Sequence, residues 1–336
     1  MNVMLTGGMG YIGSHIAVQL ASLGHGVLIY DNLSNSSEDV LTQLETIIGS
    51  PVIFVRGDVR ETDKLSKILC DHKIVSVIHL AGLKAVGDSV NDPISYYNSN
   101  ISGAISLIKA MELSGVDNLI FSSSATVYGE PEYLPIDEIH PLVAQSPYGL
   151  TKKLVEEIFN NYCELKSDKK VISLRYFNPV GAHPSGLIGE RPNGIPNNLV
   201  PYIAQVANGE IPFLGIFGDK YPTKDGTGVR DYIHVEDLAE GHVAALNHIE
   251  LMKSDTDVFN LGTGEGYSVI DVVEKYTEAS GKPIPTKIIN PRPGDVAECY
   301  ACTAKASEIL GWRAKLGMSD MCRSSWNSQS KIEGSE

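Results

Sequence analysis

Six short runs of aliphatic and β-branched residues, Val3 to Thr6, Val27 to Tyr30, Val52 to Val55, Val75 to Leu80, Leu119 to Ser122 and Val171 to Tyr176, recur with helix-length segments between them. Apolar runs this short and this continuous predict strands buried on both faces, the condition of a parallel sheet. Ser14 to Leu23, stopped by Gly24, and Ile101 to Leu113, stopped near Gly115, read as intervening helices. Strand, helix, strand repeated at this spacing predicts an α/β fold with a doubly wound parallel sheet of the Rossmann type. After about residue 178 the rhythm changes: Pro179, Pro184, Pro192, Pro196, Pro201, Pro212 and Pro222 crowd the chain, and the elements between them shorten. That predicts a smaller, loop-rich C-terminal α/β lobe, followed by a polar, frayed tail from Ser324 to Glu336.

In an open parallel sheet, ligands bind beyond the C-terminal ends of the strands, and small or polar residues gather at those ends here. Gly7 follows the first strand, Asp31 the second, Asp58 the third, Ala81 and Gly82 the fourth, Ser123 and Ser124 the fifth and Asn178 the sixth. The first turn, Thr6-Gly7-Gly8-Met9-Gly10-Tyr11-Ile12-Gly13, spaces its glycines so that backbone can approach a pyrophosphate at a helix N-terminus. Asp31 lies eighteen residues past Gly13, where a carboxylate would bind an adenosine ribose and repel a 2′-phosphate, favouring NAD over NADP.

Tyr148 and Lys152 stand one helical turn apart, just after Pro147, so an ammonium can sit beside a phenol. Ionising a free tyrosine at pH 7 costs roughly 4 kcal/mol, part of which a fixed cation offsets. Tyr162 and Lys166 repeat the spacing, about 21 Å further along the same helix and toward the opposite edge of the sheet. Only Tyr148 starts its helix near the edge carrying Ser124. Ser124, Tyr148 and Lys152 therefore read as a proton-transfer group: serine bonds the substrate oxygen, tyrosine exchanges the proton and lysine stabilises the phenolate. Ser122 and Ser123 compete for the serine role, because alternation along a strand sends neighbours to opposite faces.

A net charge of −14, from 41 acidic against 27 basic residues, argues against a nucleic-acid or anionic-membrane partner. Five cysteines predict reduced thiols, and the N-terminus lacks the basic and apolar regions of a signal peptide. The expectation is a cytoplasmic protein with no metal.

Four long stretches carry a more specific likeness: Ser122 to Gly129 (SSSATVYG), Arg175 to Ala182 (RYFNPVGA), Gly194 to Leu199 (GIPNNL) and Gly228 to Val235 (GVRDYIHV). On these the chain resembles the extended short-chain dehydrogenase/reductases, and among them the UDP-glucose 4-epimerases, from the glycine turn to about Trp312. The resemblance implies that Tyr148 takes the proton of a sugar 4-hydroxyl while NAD takes the hydride, and that the bound 4-keto sugar turns over and is reduced on its other face. It implies an NAD site made of Gly7, Gly10, Tyr11, Ile12, Gly13, Asp31, Asn32, Asn35 and Ser36, then Asp58, Val59, Leu80, Ala81, Gly82 and Lys84, with Ser124, Tyr148, Lys152 and Phe177. For the UDP-hexose it implies Ser124, Tyr148, Asn178, Asn197, Asn198 and Leu199, with Ile216, Phe217, Arg230, Arg292, Asp295 and Cys299. Arg230 and Arg292 suit a pyrophosphate as bidentate donors, and equally suit surface ion pairs. Ser99 stands where the family carries an asparagine near the nicotinamide, so it is left out. Residues 1–177, with roughly 227–250 returning, are expected to bind NAD; 178–226 and 251–325 to bind the UDP-sugar; and 326–336 to form a flexible tail. A homodimer through helices such as Ile101 to Leu113 and Tyr148 to Lys166 is the family expectation.

Related dehydratases carry an Asp-Glu pair beside the threonine after the fifth strand; here that place reads Ser124-Ala125-Thr126, without a carboxylate. A non-enzymatic NAD-sensing protein is the other alternative, though it would need neither Tyr148 nor Lys152. Cys299 and Cys302 form a Cys-x-x-Cys with no second pair or histidines at ligand spacing for zinc. In family members confined to UDP-glucose and UDP-galactose, a tyrosine stands four residues past the aspartate, where this chain has Cys299. A small side chain there leaves room for an N-acetyl group, unless a one-residue slip brings Tyr300 into the same space.

Overall fold

The computed structural model describes residues 1–166, 168–191, 196–292 and 294–333. The chain opens with β1 (Asn2–Thr6), α1 (Tyr11–Ser22), β2 (Gly26–Asp31), α2 (Asp39–Ile48), β3 (Ile53–Arg56), α3 (Thr62–Asp71) and β4 (Ser76–His79). It continues with α4 (Val86–Asn91), α5 (Pro93–Tyr96), a π turn over Tyr97–Ile101, α6 (Ser102–Ser114), β5 (Asn118–Ser124), α7 (Pro147–Leu165) and β6 (Lys170–Tyr176). Then follow β7 (Asn178–Val180), α8 (Leu199–Ala207), β8 (Leu214–Phe217), β9 (Val229–His234), α9 (Val235–Ile249), β10 (Thr256–Leu261), β11 (Gly266–Ser268), α10 (Val269–Ser280), β12 (Thr286–Ile289), β13 (Glu298–Cys299), α11 (Ala304–Ile309) and α12 (Met318–Glu333).

The main sheet has seven parallel strands in the order β10-β6-β5-β4-β1-β2-β3. Apolar side chains from its two faces enter two separate cores, one with α1 and α9 and one with α3, α6 and α7. This is why the strands read as unbroken apolar runs rather than alternating ones. The chain winds outward from β1 through β2 and β3, then returns to β4 on the other side of β1, so a crevice opens at the C-terminal ends of β1 and β4. Because every strand of the sheet is parallel, all six sequence-marked strand ends lie along that one edge.

Two small sheets form beyond it: β11-β9-β13, with β7 also pairing β9, and parallel β8 and β12. They share a third core with α8, α10 and α12. Three expectations need correction. Residues 256–261, assigned from sequence to the second lobe, form β10, the last strand of the main sheet, and Ala306 and Trp312 pack into that sheet's core. The region from 326 to 333 is not a frayed tail but the end of α12, with Ser325 and Ser328 buried and Trp326 packed on the third core. Its polar composition hid a helix whose serines face protein: the Ser324 hydroxyl accepts from the Ala182 amide and the Ser328 hydroxyl donates to the Gly186 carbonyl. Residues 334–336 of that tail lie outside the described residues. The first helix begins at Tyr11, three residues before the sequence-based start, because Gly10 is its N-cap.

Candidate active site

The turn after β1 is built by close backbone contact. Gly7 has φ +73°, and a Cβ there would stand 2.7 Å from the Ala81 amide nitrogen; one on Gly13 would stand 2.6 Å from both the Gly7 carbonyl oxygen and the Gly8 Cα. Glycine therefore lets β1, β4 and α1 close on one another, with Tyr11 and Ile12 as the first helical residues. No side chain caps the α1 N-terminus, which leaves its amides for an anion. The Tyr11 hydroxyl donates to the Gly181 carbonyl at 2.7 Å, and burial keeps that phenol protonated.

Asp31 ends β2 and accepts from the Met9 amide at 3.1 Å, the Leu33 amide at 2.8 Å and the Ser36 hydroxyl at 3.3 Å. A carboxylate has about four acceptor positions, so it keeps capacity for a ribose hydroxyl. Asn32 donates to Asp58, whose carboxyl the Arg60 guanidinium grips at 2.8 and 2.7 Å and holds well below the usual range. Asn35 is exposed beside this pair of loops. Val59 is buried in the core, so it offers the crevice only backbone. Leu80, Ala81 and Gly82 line the end of β4, and Lys84 reaches across to Glu190 at 3.3 Å.

The three serines of β5 divide their roles by alternation. Ser123 is fully buried and bonds Glu156 of α7, while Ser122 bonds the Tyr176 hydroxyl on the other face. Ser124, at the strand end, accepts from the Thr126 amide at 3.2 Å and hydroxyl at 3.0 Å and bonds Tyr148. Of the three, Ser124 is the one whose hydroxyl stands at the strand end beside Tyr148. Tyr148 is delivered by a local device: Ser146 caps α7 by accepting from the Gly149 amide at 3.1 Å, and Pro147 takes the first helical position. The Lys152 ammonium lies 5.8 Å from the Tyr148 ring centre and donates to the Ser122 carbonyl at 2.7 Å.

Burial pushes the Tyr148 phenol up to about 12, against the hydrogen bond from Ser124. Burial also pulls Lys152 down to about 8, opposed by the negative charge of Glu156. Burial thus favours the neutral form of each, so the phenol holds its proton more tightly and the lysine less tightly than either would in water. The second pair does not assemble. Lys166 leaves the helix to pair with Glu112 of α6 at 2.8 Å, and Tyr162 packs against the second core.

Across the crevice stands the second set of predicted residues. Arg292 bonds Asp295 at 3.0 Å and stacks 4.3 Å from the Phe217 ring centre, while Arg230 approaches Asp295 at 3.9 Å. Two guanidiniums thus converge on one carboxylate. Asn178 is exposed at the start of β7, and Asn197 and Asn198 are exposed just before α8, where Leu199 is the first helical residue. Gly194 and Ile195 of that motif lie outside the described residues. Phe177 is buried beside Val127 and Tyr128, and Ile216 points into the third core, leaving only its backbone for a ligand.

Cys299 pairs with Arg230 in the β13–β9 register and packs beside Phe177 and Val127. Tyr300 goes the other way: a Cβ on Gly266 would touch its ring at 3.3 Å. Strand alternation thus sends the two side chains to opposite sides of the chain. Both Cys299 and Cys302 are free thiols.

Sequence reasoning passed over three residues. Asn100, not Ser99, reaches the β4 loop: it accepts from the Leu83 amide at 2.8 Å and donates to the Leu83 carbonyl and Thr151 hydroxyl, both at 3.0 Å. The π turn over 97–101 shifts that helix face, and nothing in the residue pattern signals it. Glu190 accepts from both Lys84 at 3.3 Å and Asn198 at 2.6 Å, joining the two banks of the crevice. Asp231 is fully buried and accepts from Thr263, Gly264 and Ala301, stitching β9 to the segments around the arginine cluster. Among the described residues no His, Cys, Asp and Glu group could hold a metal, and no helix is long and apolar enough to cross a membrane.

The family model described as GDP-mannose 4,6 dehydratase matches residues 4–325. The chain is 51% identical over 330 residues to a UDP-glucose 4-epimerase of Bacillus subtilis, covering 98% of this chain and 97% of that one. Its fold is similar to the crystal structure of UDP-glucose-4-epimerase from Stenotrophomonas maltophila with bound NAD and formylated UDP-arabinopyranose (TM-score 0.98, 46% identity, all of both chains). It is likewise similar to that of UDP-glucose 4-epimerase from Bifidobacterium longum in complex with NAD+ and UDP (TM-score 0.96, 48% identity, all of both chains).

Proposed function

This chain belongs to the UDP-glucose 4-epimerase family, and from that premise we propose that it interconverts UDP-glucose and UDP-galactose by oxidation and re-reduction at carbon 4 of the sugar. The observation that carries the reading is the meeting of Ser124, Tyr148 and Lys152 at the edge where the glycine turn opens the crevice. NAD fits that crevice by the chemistry of its walls: uncapped amides at α1 for the pyrophosphate and spare acceptor capacity on Asp31 for a ribose. When bound there, it supplies the hydride acceptor and donor.

The chain's own residues handle the proton and the orientation. Ser124 holds the 4-oxygen of the sugar, Tyr148 takes and returns its proton, and Lys152 keeps the phenolate accessible. Arg230 and Arg292, already gathered by Asp295 and Phe217, anchor the nucleotide diphosphate, with Asn178, Asn197 and Asn198 alongside. Anchoring the nucleotide half leaves the hexose free to present either face, so remote binding energy positions a reacting centre that must turn. Elimination of water is disfavoured, because the segment Ser124-Ala125-Thr126 offers no carboxylate and Thr126 spends its hydroxyl on Ser124.

A second substrate pair, UDP-N-acetylglucosamine and UDP-N-acetylgalactosamine, is favoured by the small Cys299 in the Arg230 register, with Tyr300 turned onto Gly266. Residues 1–177 together with 227–250 form the cofactor-binding unit in this reading, joined by β10, and the enzyme works as a cytoplasmic homodimer through α6 and α7. The test is turnover without added NAD, on UDP-galactose and UDP-N-acetylgalactosamine side by side, with products resolved by chromatography. Conversion of both supports the reading with the open pocket; conversion of UDP-galactose alone supports only the narrower one. Conversion of neither, even with NAD supplied, overturns it. Sedimentation at working concentration checks the dimer, and a monomer that turns over normally removes it from the account.

A further inference from the structure

One helical turn beyond Lys152, α7 carries a carboxylate to which the proton transfer gives no part. Glu156 is 5% exposed, and Arg175 of β6, 6% exposed, meets it at 2.6 Å. The guanidinium donates through Nε to both carboxylate oxygens, at 3.0 and 3.2 Å, and through Nη2 at 2.6 Å. Ser123 donates its hydroxyl to the same carboxylate from β5. Arg175 is braced in turn, with Nη1 donating to the Tyr128 hydroxyl at 3.1 Å and the Glu138 carbonyl at 3.2 Å, and Tyr128 donating to Asn260 at 2.6 Å.

A buried ion pair is weak evidence of a need for stability, since well-packed apolar residues often replace one at no loss. Its placement suggests another use. Lys152 donates to the carbonyl of Ser122, and the next residue, Ser123, donates back to Glu156, so α7 is pinned to β5 at two successive strand positions. We propose that Glu156, held by Ser123 and Arg175, is a positioning residue for Lys152 and through it for Tyr148, fixing the register of α7 on β5 and keeping a negative charge one turn from the ammonium.

This inference rests on the reading of Tyr148 and Lys152 as the proton-transfer pair. The groups facing the ammonium are Tyr148 and Glu156 on α7 itself, the Phe121 ring and Ser122 carbonyl of β5, and His79 of β4. His79 is held neutral by burial, so Glu156 is the negative charge that favours the ammonium. Facing Glu156 are Ser123 from β5, Arg175 from β6 and Lys152 on its own helix.

The test uses the full chain and UDP-galactose turnover as a function of pH, alongside thermal melting. Glu156→Gln leaves Arg175 an unpaired buried cation and can fail by misfolding, so Glu156→Leu/Arg175→Met, which removes both charges, is measured with it. The double variant is expected to melt close to the wild type, to keep KM, and to lose kcat by roughly tenfold to a hundredfold, the scale of a small misplacement of a catalytic group. Its alkaline limb is expected at lower pH, whereas Glu156→Asp, which keeps the charge, retains the limb. A double variant with wild-type kcat and pH profile, or a rate loss that merely tracks loss of folded protein, overturns the proposal. Lys152→Met separates the two readings. If it too turns over at the wild-type rate, the proton-transfer assignment itself fails; if it is slow while the double variant is normal, only the positioning role does.

Discussion

The ammonium of Lys152 lies 5.8 Å from the centre of the Tyr148 ring, one turn along the face of α7 that looks onto the end of β5. Both side chains are buried, 8% and 7% exposed. Tyr148→Phe is expected to lower kcat by about 10²- to 10⁴-fold, the usual share of a general acid and base, with KM little changed. Steady-state kinetics on UDP-galactose check this, and a phenylalanine variant within a few fold of wild type would remove Tyr148 from the mechanism.

Lys152 acts as a cation, and burial brings its proton affinity down to about 8. The ammonium is present below that pH and lost above it. Activity is therefore expected to decline as pH rises through about 8, and Lys152→Met, slow at every pH, is expected to lack that limb. A profile of kcat from pH 6 to 10 is the measurement.

Asp31 keeps acceptor capacity beyond its three bonds to Met9, Leu33 and Ser36. A hydrogen bond to a charged group contributes roughly 1.5 to 3 kcal/mol, so Asp31→Ala should weaken NAD retention by about tenfold to a hundredfold. Nucleotide released on dialysis and counted by absorbance checks it; equal retention would move the ribose contact elsewhere.

Cys299 shares a register with Arg230, and Tyr300 is turned away onto Gly266. Cys299→Tyr is expected to abolish turnover of UDP-N-acetylgalactosamine while UDP-galactose is still converted. An undiminished rate on the acetylated sugar would sink the size argument.

Among the buried histidines, burial lowers His15, His79, His234 and His242 to about 3, 3, 4 and 4 from 6.5. As pH falls below 6.5 the unfolded chain takes up protons that the folded one does not, so stability present above that pH is lost toward 4, at about 1.4 kcal/mol per unit per histidine. Glu236, raised by burial to about 7, works in the opposite direction: its stabilising share is present below 4.5 and lost as pH rises through 7. Burial raises the carboxyls of Glu138, Asp231 and Asp237 in the same sense, while those of Asp58, Glu61, Asp225 and Asp271 are lowered and add to the loss in acid that the imidazoles cause. Melting temperature should therefore drop steeply between pH 6.5 and 4, and a flat profile would contradict the neutral burial of these side chains.

Much of the candidate site was legible because its signals are local. The glycine turn, the Ser146-Pro147 start of α7 and the Tyr148 to Lys152 spacing each depend on a few neighbouring residues and on one period. The seventh strand was misassigned because Thr256–Leu261 pairs with β6, eighty-five residues earlier, and nothing near it in the chain announces that partner. The helix over 318–333 was misread because the apolar residues it packs on the third core, Met318, Met321, Cys322 and Trp326, lie toward its start, and the largely polar remainder hides its continuation.

What the sequence determined by itself is the alternation of strand and helix, the edge of the sheet where ligands bind and the residue types that meet there, since these follow from backbone preference and periodicity. Only the tertiary structure decided that Ser122 and Ser123 are taken up by Tyr176 and Glu156, that Asn100 rather than Ser99 reaches the β4 loop, that Cys299 rather than Tyr300 faces the Arg230 register, and that Arg175 locks onto Glu156. Each of those choices is a one-residue difference in register, and register is fixed by packing between elements far apart in the chain, which no local pattern encodes.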